Sequence, residues 1–221
     1  TISDLFVIAE QLGCVWKLEK LCRNKALKAA VEKPENVKLF LNVDGNIIQD
    51  KAFIQGFTNR KAMKAGVPAS DIVFEITERS DIENYQILQQ IMKHYADQGY
   101  EIALDDVGAG HSGLNRVVNT TPDYLKADIE LVRDIHKYKK KEIMMKFLLD
   151  YCNATGAILI AEGVETAQEL ECVHSLGVHY GQGFFLGKPE RVFGNISAEA
   201  EQILERLNGR KNILFLDTQS F

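Results

Sequence analysis

"EIALDDVGAG" occupies residues 101–110. An apolar run from Ile102 to Leu104 reads as a strand, and it ends in two adjacent carboxylates, Asp105 and Asp106, ahead of a glycine-bearing loop. Two like charges side by side repel, and neither is buried cheaply without a partner. The pair therefore asks for positive charge at the tip of its strand.

Moving toward the N-terminus, the same alternation recurs. Residues 2–31 have helical spacing, with Ser3 as a candidate N-cap and Gly13 as a break, and the apolar run 37–43 follows Pro34. A helix-like segment at 52–66 precedes the strand-like run 72–77. Another at 81–99 sets Tyr85, Leu88, Met92 and Tyr95 on one face. Moving toward the C-terminus, a short helix at 112–120 leads to the strand 123–128. A long helix from Ile129 to Thr155 leads to the strand 157–163, and a helix at 166–177 to the strand-like run 179–185. A last helix spans 197–209, and "KNILFLD" (211–217) reads as a final strand or an extension.

Short apolar strands alternating with helices predict βα units and a parallel sheet. The fold class is α/β, and a TIM-like (β/α)8 barrel fits the size and alternation best. About six strands are visible, so the remaining two are expected before Thr1. A doubly wound open sheet competes, but no strand runs into the glycine fingerprint of a dinucleotide fold.

Residues 1–221 are read as one domain with 190–221 as its C-terminal helix and extension, since 46% hydrophobic and 26% charged content are ordinary globular values. A net charge of −5 argues against coating DNA or RNA polymers. The four cysteines form no CxxC pair, which leaves zinc and a disulfide framework unsupported and suggests reduced thiols in a cytoplasmic protein. No signal peptide or membrane-length run is visible, and no membrane contact is expected.

Polar residues gather at the C-terminal sides of the strands: Asn42, Glu75, Glu78, Asp105, Asp106, Lys126, Asp128, Glu162, Glu165 and Gln182. A barrel collects its active site there. The donors are mostly carboxylate oxygens, which suit hard cations such as Mg²⁺, Mn²⁺ or Ca²⁺ rather than zinc. Two ions about 3.5–4 Å apart would hold the paired aspartates and serve phosphoryl displacement. Each residue also has a bland reading: carboxylates cap helices, Lys126 is an ion-pair lysine, Glu165 opens a helix, Gln182 is part of a turn, and His111 is a loop residue. The joint pattern outweighs these single readings.

The pattern resembles the EAL-domain family of cyclic di-GMP phosphodiesterases and receptors. "LNVDG", "FEITERS", "LDDVGAGHSGL", "PDYLKAD", "LIAEGVET" and "GVHYGQGFFLGKP" occur in order between Leu41 and Pro189, and the resemblance runs from Ser3 to Pro189. The resemblance implies metal-dependent hydrolysis of cyclic di-GMP to linear pGpG with two Mg²⁺ or Mn²⁺ ions. Asn42, Glu75 and Asp105 would ligate the first metal, with Asp105 bridging to a second that Asp106 and Glu162 also hold. Lys126 would contact the attacking water or the phosphate, with Glu162 beside it in the catalytic set, and Gln182 would shape the substrate environment. Glu78 would anchor the loop after Asp106, and Glu165 would support the site from behind. A homodimer, and fused sensory or diguanylate cyclase domains outside this chain, are further implications.

Val107, Ala109, His111 and Gly113 depart from the usual DDFGTGYSSL loop, which bears on loop coupling and dimer contacts. The signature Glu-Ala-Leu, whose glutamate is a metal ligand, is expected on a strand before residue 1. The alternative function is therefore a catalytically inactive cyclic di-GMP receptor. A Schiff-base lyase using Lys126 fits the carboxylate-rich surroundings less well.

Overall fold

A computed structural model describes residues 2–76, 85–108, 113–190 and 193–208. They fall into two compact units, residues 2–102 and residues 103–208, with the boundary inside one strand.

The first unit contains α1 (Ile2–Gln11), α2 (Val15–Ala29), β1 (Leu39–Val43), α3 (Phe57–Ala65), β2 (Ile72–Ile76), α4 (Tyr85–Ala96) and the start of β3 (Glu101–Val107). Gly13 separates the first two helices at φ +61°, as the sequence suggests. The helix expected over 52–66 begins only at Phe57. Asp50 accepts the Ala52 N–H at 2.7 Å, fixing a turn, and Gly56 stands at φ +69° just before the helix. β1 and β2 pair in parallel with Asn42 opposite Glu75. Their apolar residues are buried, as befits parallel strands covered on both faces.

The second unit continues β3 and adds α5 (Gly113–Val118), β4 (Tyr124–Ala127), α6 (Ile129–Val132), α7 (Lys139–Thr155), β5 (Ile158–Ala161), α8 (Ala167–Leu176), β6 (Tyr180–Gly181) and α9 (Ala198–Asn208). β3 to β6 pair in parallel in chain order. The expected continuous helix Ile129–Thr155 is instead divided into α6, a single 3₁₀ turn at Ile135–Lys137, and α7. Asp134 breaks it by adopting φ +54°, and the Lys141 ammonium caps the freed carbonyls of Glu130 and Arg133. The reading of 211–217, Glu78 and His111 lies outside the described residues.

Candidate active site

β3 departs from regular strand geometry at Asp105 and Asp106. Leu104 pairs with Leu125 and Val107 with Ala127, so Asp105 and Asp106 together oppose the single residue Lys126 of β4. This is a β-bulge, uncommon in parallel pairs. In a regular strand adjacent side chains leave opposite faces. Here Asp106 takes the left-handed conformation at φ +56°, which Asp tolerates better than most residues. Carboxylate oxygens of Asp105, Asp106 and Glu162 consequently all lie within 4.8 Å of one another.

Lys126 is buried on β4, and its ammonium lies 3.0 Å from Asp105 Oδ1 and 2.6 Å from Glu162 Oε1. A buried lysine is stable only when paired, and these two carboxylates supply the pairing. Three carboxylates and one ammonium leave a formal charge of two minus, which one divalent cation balances. The all-oxygen donor set also fits a hard cation.

Backbone pairing beyond the strand ends holds these side chains on rigid supports. The Glu162 N–H donates to Ala127 O at 3.0 Å, and the Gln182 N–H to Ala161 O at 2.8 Å. The Val164 N–H then donates to Gln182 O at 2.9 Å, tying the loop after β5 to the one after β6. That approach requires Gly183, where a Cβ would stand 2.2 Å from Val164 N.

The other expected residues have distinct placements. Asn42 and Glu75 are cross-strand partners in the first unit, with Glu75 buried. Asp128 is the N-cap of α6, its Oδ1 accepting the Glu130 N–H at 2.7 Å, so its bland reading holds. The Glu165 side chain is exposed, and this residue joins the loop through its backbone N–H.

The carboxylate that gathers this region is Glu169, which strand-end position alone does not single out. It is buried and accepts N–H groups from Asp134 at 2.7 Å and from Glu165 and Thr166 at 3.0 Å each. Burial alone would raise its carboxyl, but these donated bonds outweigh it and hold the group below its ordinary value. Thr166 and Glu169 form a capping box on α8, a spacing legible in "TAQE".

The EAL domain family matches residues 2–189. The chain belongs to that family. Among curated proteins it is similar to cyclic di-GMP phosphodiesterase PdeA of Borreliella burgdorferi, 26% identical over 194 residues, covering 86% of this chain and 29% of that protein. It is also similar to cyclic di-GMP phosphodiesterase PdeR of Escherichia coli K12, 29% identical over 193 residues, covering 84% of this chain and 28% of the relative. The chain thus spans less than a third of the length of either. Among solved structures, Klebsiella pneumoniae BlrP1 in complex with calcium and cyclic di-GMP matches with a TM-score of 0.76 and 28% identity, covering 82% of this chain and 47% of that one. A manganese complex of BlrP1 matches with the same TM-score. The fold is accordingly the TIM-like barrel type of EAL domains, with six parallel strands among the described residues. No described helix is long and apolar enough to cross a membrane.

Proposed function

We propose that the protein hydrolyses one phosphodiester bond of cyclic di-GMP, giving linear pGpG, with Mg²⁺ or Mn²⁺ as cofactor. The observation that carries this reading is the bulge that turns Asp105 and Asp106 toward Glu162 beside buried Lys126. Membership of the EAL family and the names of the curated relatives support the substrate.

Asp105, Asp106 and Glu162 would hold a divalent cation, with Asn42 and Glu75 completing a two-metal set as the family resemblance implies. Such ions supply Lewis-acid stabilisation of phosphoryl oxygens and acidify water. Lys126 donates hydrogen bonds to the phosphate or to the attacking water, placing positive charge where negative charge develops. Glu162 keeps that ammonium oriented. Gln182 borders the substrate, held by its two backbone bonds to the end of β5 and the loop beyond. Glu78 is assigned the loop after Asp106, and Glu165 a supporting place in the loop after Glu162. The reading extends to a cytoplasmic homodimer with signalling domains outside this chain.

Incubating the natural full-length protein with cyclic di-GMP and Mg²⁺ or Mn²⁺ should release pGpG. Tight binding with no product under either metal would instead establish the receptor reading.

A further inference from the structure

Glu19 and Arg23, one turn apart on α2, form an ion pair in which both side chains are buried, at 2% and 3% exposure. A buried pair of this kind is a poor stabiliser compared with apolar residues of similar volume. Its contacts indicate a different use. The Arg23 guanidinium stands over three aromatic rings, 5.2 Å from the centroid of Trp16, 5.1 Å from Phe74 and 5.7 Å from Tyr95, and donates to Thr58 Oγ1 at 3.1 Å. Phe74 is the β2 residue immediately before Glu75. Glu19 directs its other oxygen outward from the pair, accepting the Asp44 N–H at 2.6 Å. Asp44 lies two residues beyond Asn42, at the point where β1 ends. The pair therefore reaches Phe74 of β2 and Asp44 just past the end of β1, close in sequence to the register partners Asn42 and Glu75.

We propose that Glu19, oriented by Arg23, is a positioning residue that fixes the end of β1 so that Asn42 is presented beside Glu75 for metal binding. The inference rests on the proposed role of Asn42 as a ligand. An apolar pair could fill the same space but could not accept the Asp44 N–H. This explains why charge is kept in a site where charge is costly.

The test combines amide hydrogen exchange with Mn²⁺ titration. Glu19→Leu with Arg23→Met removes both charges together and leaves no orphaned ion. Asp44→Pro removes the donor together with the side chain that accepts the Asn46 N–H at 2.8 Å, and Asp44→Ala is its control, losing that side chain with its own N–H intact. The Leu/Met protein should keep its fold, exchange the Asp44 amide faster, and bind Mn²⁺ about 10- to 100-fold more weakly, the usual effect of losing a support behind a ligand. Asp44→Pro should reproduce the affinity loss, and Asp44→Ala should not.

In an Asn42→Ala background the Leu/Met change should weaken Mn²⁺ binding no further, which a general structural role would not produce. A further loss in that background, unchanged Asp44 exchange, or full Mn²⁺ affinity in Asp44→Pro would overturn the proposal. Full affinity in Asn42→Ala alone would remove the ligand reading instead, while Asp44 exchange would still report on the pin. Should the Leu/Met protein fail to fold, the contrast between Asp44→Pro and Asp44→Ala decides the matter.

Discussion

Lys126 stands opposite a β-bulge whose first carboxylate, Asp105, lies 3.0 Å from its ammonium. A parallel strand is distorted at this point, and the distortion gathers two consecutive aspartates with Glu162, two of these three carboxylates being paired to one buried ammonium. Strain of this kind persists where the surrounding structure imposes it, and it is concentrated at functional sites.

Asp106 tests that reading through stability. Its left-handed conformation costs a non-glycine residue about 1–2 kcal/mol, and its charge adds repulsion toward Asp105 and Glu162. Asp106→Gly should leave metal-free protein as stable as the parent, or more stable by about 1 kcal/mol after the entropic cost of glycine. The same change should remove turnover. Thermal unfolding and a pGpG assay check the two halves, and a large loss of stability would contradict the assignment of strain.

Lys126→Met leaves Asp105 and Glu162 without their shared ammonium. In the absence of metal the variant should lose about 3 kcal/mol of stability, as for other broken buried pairs. Divalent cation can replace the missing charge, so Mn²⁺ should raise the melting temperature of the variant by more than that of the parent. Equal increments would show that the ammonium and the cation answer to different carboxylates. Turnover should fall about 10²- to 10³-fold, as when a single stabilising donor is removed from other active sites.

Glu169 gives a pH signature. Burial pushes its carboxyl up, but the N–H groups of Asp134, Glu165 and Thr166 bring it below the ordinary value of 4.5. As pH falls the unfolded chain takes up this proton first. The stabilisation is complete above the ordinary value and disappears as pH drops through the lower folded value. Glu169→Gln should therefore lower the melting temperature at neutral pH and flatten its dependence between about pH 5 and 3. Parallel pH curves for parent and variant would refute the role given to this carboxylate.

Much of this architecture is legible in the sequence because its period is plain. Runs such as "VFEI" and "LIA" alternate with helices of ten or more residues, and each of the six expected strands is present. The segments that differ from the sequence pattern do so for identifiable physical reasons. Asp134 interrupts a helical pattern through a backbone bond to Glu169, 35 residues away, which no local periodicity records. Asp50 and Gly56 delay α3 by fixing a turn in front of it.

At the site, Asp105, Asp106, Lys126 and Glu162 are legible because charged residues at the tips of apolar strands need a common reason. The bulge is not legible, since a register shift depends on the partner strand. Glu169 is not legible as a site residue, because a carboxylate four residues after Glu165 has the spacing of an ordinary helix-face glutamate and its three N–H donors are fixed only by the fold.

We propose that the carboxylates gathered by the β3 bulge hold divalent metal. Mn²⁺ titration followed by electron paramagnetic resonance, comparing the parent with the Asp105→Asn/Asp106→Asn variant, tests it most directly. The parent should bind the ion and the variant should not, with thermal unfolding showing that both are folded. Equal Mn²⁺ binding by the two folded proteins would show that Asp105 and Asp106 do not hold the ion.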